Sequence, residues 1–443
     1  MKAYRADLLD FASAPAWGDA RAEAAVRFRP DHWLLVDEAG RIAGVQPEEP
    51  APGMEREDWR GHLLLPGFID THVHSPQIGV IGSYGTALLD WLNDHTFPAE
   101  RAWADAEIAA RGSAHFLDAL LAHGTTTAAV FPTVHKVSAD ALFTAAHDRG
   151  MRVVAGKVLM DRHAPDGLRD DVKQAERDCV DLIARWHNRG RASYAVTVRF
   201  APTSTPEQLA MAGALCRADP TLYMQTHVAE NRDEVRWVAD LFPEARSYLD
   251  VYARAGLLHR RSILAHGIWL DDNDRAALRH AGAQVAFCPS SNLFLGSGLF
   301  DWPAMLAAGG TVTLASDVGG GTSLSMQRTL ADGYKVQALL GAGSGHKLTA
   351  WTALHAATRG AAEALELGGE IGSLEPGRLA DFAVWRWNAT PVDAERQRLA
   401  HLKGDLHEKV FAWMTLADER HLRGTWVAGR RRFASSAGAA ASQ

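Results

Sequence analysis

Cysteine is scarce in this chain. Its 443 residues hold only Cys179, Cys216 and Cys288, and no two of them form a CxxC pair. That argues against a disulfide-framed secreted domain and against a thiolate zinc knuckle. An excess of positive charge is also missing. The formal net charge is −7 and the pI is near 6.3, which disfavours a polyanion-binding surface. The densest basic run, Arg430-Arg431-Arg432, follows the strand-like Trp426-Val427-Ala428 and reads as a solvated edge. No segment approaches the roughly 18 uninterrupted apolar residues of a membrane span. The first residues, interrupted by Arg5, Asp7 and Asp10, do not make a signal peptide. These absences predict a soluble, cytoplasmic protein with neither nucleic acid nor membrane as a partner.

What is present is ordinary globular composition, 47% hydrophobic and 22% charged, with room for one large or a few smaller domains. From about residue 60, strand and helix patterns alternate. Eight β-rich runs stand out: Leu63–Ile69, Thr125–Phe131, Arg152–Leu159, Tyr194–Phe200, Leu222–Thr226, Ser262–Ala265, Gln284–Phe287 and Thr311–Ala315. Helical patterns lie between them, among them Ala106–Ala122, Val172–Arg189, Pro206–Arg217 and Asp271–Ala281. Capping chemistry marks helix starts at Ser138 with Asp140, at Thr205-Pro206-Glu207 and at Asp271-Asp272. Eight such units in series predict an α/β fold, a (β/α)8 TIM-type barrel over residues 63–368. A Rossmann sheet would need a Gly-rich turn after its first strand, and Gly67-Phe68-Ile69-Asp70 supplies none.

The ends read differently. Residues 1–62 and 369–433 contain short strands and turns, such as Trp33–Asp37, Gly40–Val45, Gly372–Trp385 and Gly424–Phe433. They are expected to pair into one small composite β-sandwich. Residues 434–443, rich in Ala and Ser, are expected to be a disordered tail.

The first strand runs into Asp70-Thr71-His72-Val73-His74. Strand residues two apart share a face, so His72 and His74 aim at one point. That point lies at the C-terminal strand ends, where TIM barrels place their active sites. HxH alone is weak, and two polar residues on a solvated strand end explain it equally well. Later strands sharpen the signal: the fifth ends in His227, the sixth in His266 and the eighth in Asp317. Imidazole and carboxylate are good ligands for zinc or iron, and their convergence on one rim points to a metal site.

The motifs behind this reading are PGFIDTHVH at 66–74, HVAE at 227–230, LAHG at 264–267 and ASD at 315–317. They resemble the amidohydrolase superfamily. LLDWL at 88–92 with TFPAE at 96–100, RFAP at 199–202, HVAENRDEV at 227–235 and FCPSSNLFLGSG at 287–298 are more specific. They resemble the guanine deaminases within it. The resemblance implies one zinc per subunit, with iron as the alternative, held by His72, His74, His227 and Asp317. His266 would stand beside the attacking water. Binuclear relatives carry a carboxylated lysine on the fourth strand. This chain has Val198-Arg199-Phe200 there, and its Lys157 is on the third strand.

The resemblance implies hydrolysis of guanine to xanthine and ammonia. Asp317 would take the water's proton, His266 would orient the water, and Glu230 would shuttle a proton to the ring, where N3 must be protonated for attack at C2. A helix-start carboxylate is the bland alternative for Glu230. Arg199 would donate its planar fork to O6 and N7, Gln77 would match the purine's donor and acceptor edge, and Phe200 and Trp91 would contact or wall the base. A core role serves either aromatic nearly as well. His163 departs from the Asn expected in bacterial relatives, which bears on substrate preference if its loop lines the site. The family also implies a homodimer.

Other signals carry less. Gly319-Gly320-Gly321 needs no more than a loop packed under Asp317, and Gly343–Lys347 fails the phosphate-loop spacing. Zinc deaminases of the other fold need a PCxxC, which is absent. Two alternatives stay open: an aminohydrolase acting on 8-oxoguanine, a pterin or a triazine, and a non-catalytic assembly protein on the same scaffold.

Overall fold

The computed structural model describes residues 1–22, 24–85, 88–343 and 347–435. The expected disordered tail falls outside the described residues from 436 onward, and the Gly343–Lys347 loop falls outside them at 344–346. The chain divides into two compact units. One comprises Met1–Asp70, Asp118–Thr127 and Ser325–Gln443, the other Thr71–Leu117 and Ala128–Leu324.

In the first unit the two chain ends do come together, in one seven-stranded mixed sheet. Its order is Arg430–Ala434, Leu422–Val427, Phe382–Arg386, Glu55–Pro66, Lys2–Phe11, Val26–Val36 and Ile42–Gln46. Only Lys2–Phe11 against Glu55–Pro66 is parallel among these pairings. Apolar side chains at alternating positions bury one face. Tyr4, Leu8, Leu34, Phe382 and Trp426 form its core, and the rings of Phe382 and Trp426 stack 4.8 Å apart. Arg430, Arg431 and Arg432 lie exposed on the outermost strand, the solvated edge expected of them.

The first barrel strand is displaced from its expected range. Leu63–Pro66 ends the long strand Glu55–Pro66 and pairs with Phe382–Arg386 of the terminal sheet. The barrel strand starts at Phe68 and runs to His74. The apolar run Leu63–Ile69 thus serves two sheets, which periodicity cannot divide. Gly67 marks the division, since a Cβ there would lie 2.2 Å from Thr126 Oγ1.

The barrel strands are Phe68–His74, Thr125–Phe131, Arg152–Ala155 with Val158–Leu159, Ala192–Val198, Tyr223–Val228, Ser262–His266, Gln284–Phe287 and Thr311–Leu314. Arg152–Ala155 and Val158–Leu159 both pair in parallel with Ala192–Val198 and act as one interrupted strand. The barrel is nearly closed. Thr71 Oγ1 lies 2.8 Å from Thr313 Oγ1, and Asp317 N donates to His72 O at 2.9 Å. Nearly all strand residues are buried, as parallel strands covered on both faces require.

Helices start where capping chemistry permits. Thr205 accepts from Gln208 N, and Asp271 with Asp274 completes a capping box. Ser138 does not cap. Helix Lys136–Arg149 begins before it, and Ser138 is buried within its first turn. No helix among the described residues is long and apolar enough to cross a membrane.

Candidate functional site

Strand ends deliver the donors. His72 and His74 leave the first barrel strand on one face, and His227 and His266 leave the fifth and sixth. Asp317 follows the eighth. The ligand atoms of His72, His74, His227 and Asp317 all lie within 4.8 Å of one another. Nε2 of His74 is 3.2 Å from that of His72 and 3.3 Å from that of His227. Asp317 Oδ1 is 3.1 Å from His72 Nε2 and 3.2 Å from His74 Nε2.

Burial keeps these imidazoles neutral, pushing His74 down to about 3 and His72 and His227 below their usual range. Burial by itself would raise Asp317, but His72, His74 and His266 outweigh it and hold the carboxyl well below normal. His227 Nδ1 lies 2.6 Å from Arg199 O. A neutral ring that donates there presents only a lone pair at Nε2. Neutral nitrogens crowded on one anionic oxygen fit a divalent cation, whose charge relieves the convergence of lone pairs.

Main-chain strain is present at the site. Ala229, His266 and Asp317 have φ of 47°, 70° and 50°. For non-glycine residues such angles cost about 1–3 kcal/mol each and survive only where their surroundings impose them. The turn at Ala229 sends Glu230 back over the donors. Glu230 is 3% exposed, and burial raises its carboxyl to about 7, with His266 opposing. Its Oε1 accepts from Ser297 Oγ at 2.9 Å, and its Oε2 lies 3.5 Å from His266 Nε2. His266 Nδ1 is 2.8 Å from Asn292 Oδ1, and its Nε2 also faces Asp317 Oδ2 at 3.6 Å. Burial disfavours charge on His266, but Glu230 and Asp317 outweigh that and raise its pKa.

A cavity of about 40 Å³ adjoins these groups. Its lining includes His74, His227, Glu230, His266 and Asp317, and also Gln77, Trp91, Arg199 and Phe200. The expected metal donors, catalytic groups and purine contacts therefore meet here, with His72 in the donor cluster but absent from the lining. His163 stays outside. Its ring packs 5.2 Å from Trp237, and Trp237 lies edge-on to Phe200 at 6.2 Å. Lys157 is buried against Asp170 and Val158 O, also outside the lining.

Three contributors escape the sequence reading. Glu100, fully buried, accepts from Arg199 Nη1 at 2.7 and 2.6 Å and from Gln77 Nε2 at 3.0 Å. Glu234 accepts from the backbone N of Glu230 and from Tyr248 Oη. The capping box formed by Asn231 and Glu234 was a readable signal for it. Ser297 had no comparable signal. Gly319 N donates to Gln77 Oε1 at 3.1 Å, so the glycine loop also orients a cavity residue. A Cβ on Gly319 would lie 2.7 Å from Gln77 O.

Comparison with known proteins places this architecture. Residues 63–432 match the amidohydrolase family model. Guanine deaminase of Escherichia coli (strain K12) is 46% identical over 84% of this chain and 83% of its own. The solved structure of E. coli guanine deaminase superposes with a TM-score of 0.92 at 41% identity, covering 98% of this chain and 100% of that one. Guanine deaminase from C. acetobutylicum, solved with guanine bound in its active site, gives a TM-score of 0.87 at 27% identity, covering 98% and 100%. With its donors on the strand ends of a nearly closed parallel barrel, the chain belongs to the amidohydrolase family and, within it, to the guanine deaminases.

Proposed function

We propose that this chain hydrolyses guanine to xanthine and ammonia with one zinc per subunit, held by His72, His74, His227 and Asp317. The observation that carries the reading is the shared cavity. Its lining brings the donors His74, His227 and Asp317 and the buried Glu230 together with Gln77 and Arg199. When bound, zinc lowers the pKa of water to roughly 7 and supplies a nucleophile at neutral pH.

The residues divide the remaining work. Asp317 points Oδ1 at the imidazoles and Oδ2 toward His266, so Oδ2 is free to accept the water's proton. His266, kept basic by two carboxylates, orients the water and steadies developing negative charge. Glu230, buried over the donors, delivers a proton to N3 as oxygen bonds to C2, then takes the proton of the C2 hydroxyl and passes it to the departing amine, and the water's proton held on Asp317 restores the acid form of Glu230. The C2–N bond breaks, ammonia leaves and xanthine remains. Arg199 recognises O6 and N7, which adenine's amino group would not satisfy. Gln77 reads the adjoining edge, Trp91 walls the pocket, and Phe200 packs at its rim.

The same reading carries a cytoplasmic homodimer. Val392 and Leu402, 73% and 70% exposed on helix Pro391–Lys403, offer apolar surface, and light scattering tests the dimer. The central test mixes zinc-loaded protein with guanine and follows ammonia release and the ultraviolet change to xanthine. Adenine, cytosine and 8-oxoguanine run in parallel. Turnover confined to guanine is expected. Turnover of another heterocycle alone would place the error in the Arg199 and Gln77 pocket. Silence on all substrates with zinc bound would favour a non-catalytic role.

A further inference from the structure

Glu100 is fully buried and carries charge into the wall of the cavity. Both its oxygens accept from a single nitrogen of Arg199, Nη1. Nε and Nη2 of the guanidinium are thereby left to the cavity, which Arg199 lines. The Phe97 ring lies 5.2 Å from the guanidinium carbon, so one helix, Phe97–Ala102, holds Arg199 by ring and by carboxylate. Glu100 Oε1 also accepts from Gln77 Nε2, while Gly319 N donates to Gln77 Oε1. An acceptor on one side and a donor on the other admit only one orientation of the Gln77 amide. Flipping it would set two donors, and two acceptors, against each other.

We infer that Glu100 is a positioning and specificity residue for the purine. It fixes the fork of Arg199 and the amide face of Gln77 in one register, and it cancels the charge of Arg199 so that the pocket holds a neutral base in preference to an anionic one. This rests on the guanine reading above. The charge balance matters for release. Guanine's ring N1–H lies next to one carbonyl. Xanthine has a second carbonyl at C2 and a new N–H at N3 beside it, so the product ionises more readily than the substrate. An uncompensated arginine would retain that anion. The Arg199–Glu100 pair gives it no net attraction.

The test uses zinc-loaded Glu100→Gln and Glu100→Asp proteins. Glu100→Gln keeps the volume and removes the charge. Its KM for guanine is expected to rise about tenfold or more, with kcat changing less, as charge-assisted contacts to both recognition residues weaken. Xanthine binding, followed by calorimetry from pH 6 to 9, supplies the readout that a merely structural role would not move. Affinity should increase with pH in Glu100→Gln, where Arg199 is uncompensated. It should fail to increase in the wild type and in Glu100→Asp, which restores the charge. A wild-type KM together with a wild-type pH dependence of xanthine binding in Glu100→Gln would overturn the inference. Absent guanine turnover in the wild type would instead sink the functional reading. In that case a crystal structure of Glu100→Gln decides about Glu100: displaced Arg199 and Gln77 side chains support the positioning role, and unmoved ones refute it.

Discussion

His227 turns Nδ1 to the carbonyl oxygen of Arg199 at 2.6 Å. The backbone of a cavity-lining residue thus orients a candidate metal donor, while the side chain of that same residue lines the cavity. On the proposed function, recognition and metal binding share one residue but use different atoms, and so mutation can separate them.

Arg199→Lys makes that separation. Lysine keeps a positive charge beside Glu100, which avoids leaving a buried carboxylate unpaired. The carbonyl that orients His227 also remains. The planar fork is lost. The kcat/KM for guanine is expected to fall about a hundredfold, roughly 3 kcal/mol, with the zinc content of the purified protein unchanged. Retained guanine turnover would show that Arg199 does not read the base.

Metal removal acts on the other half of the site. Chelation should abolish turnover, and zinc should restore it. Zinc at a thousandfold excess over its Kd should raise stability by about 4 kcal/mol, visible as an increase in Tm. His72→Ala should lose both the activity and the zinc-dependent rise in Tm, since His72 lies within ligand distance of His74 and Asp317. An unchanged Tm on adding zinc to wild-type protein would argue that the four donors do not form the binding site. Running iron alongside zinc shows which metal restores more activity.

Glu230→Gln removes the proton carrier and keeps its shape, and the partner hydroxyl of Ser297 can still bond the amide. The kcat should drop about 100- to 10,000-fold, while KM and zinc content stay near wild type. Ser297→Ala should produce a much smaller loss, because it removes one contact to Oε1 and leaves the carboxyl in place. If Glu230→Gln kept wild-type kcat, the shuttle would have to be another group.

Much of the site was legible because strand geometry is simple. The period of two aligns His72 with His74, and parallel strands of one barrel end on one rim, so His227, His266 and Asp317 had to converge there. What pattern cannot supply is contact at long separation. Glu100 and Arg199 are 99 residues apart, and nothing in TFPAE says that its glutamate will hold the arginine of RFAP. The Leu63–Ile69 run misled for a different reason. It is apolar throughout because both sheets bury it, and only the close approach of Thr126 to Gly67 reveals the break. At Ser138, a residue with good capping chemistry sits inside a helix that had already begun at Lys136.

The pH dependence of the metal-free protein isolates Glu230. Burial raises its carboxyl from 4.5 to about 7, so the folded state favours the protonated form more than the unfolded state does. Its contribution to stability is therefore fully present below about pH 4.5 and is lost as pH rises through about 7. The shift corresponds to about 3 kcal/mol. Urea unfolding of metal-free protein at pH 5, 6, 7 and 8 should show this decline in the wild type, and Glu230→Gln should lack its share of it. The carboxyl carbon resonance of Glu230 in a labelled sample should titrate near pH 7. Adding zinc should move that titration to lower pH, because a nearby cation favours the carboxylate. A Glu230 resonance that titrates near its ordinary value of 4.5 in the metal-free protein would mean that the carboxyl is hydrated in solution, and that it reaches the ring as a carboxylate rather than as an acid.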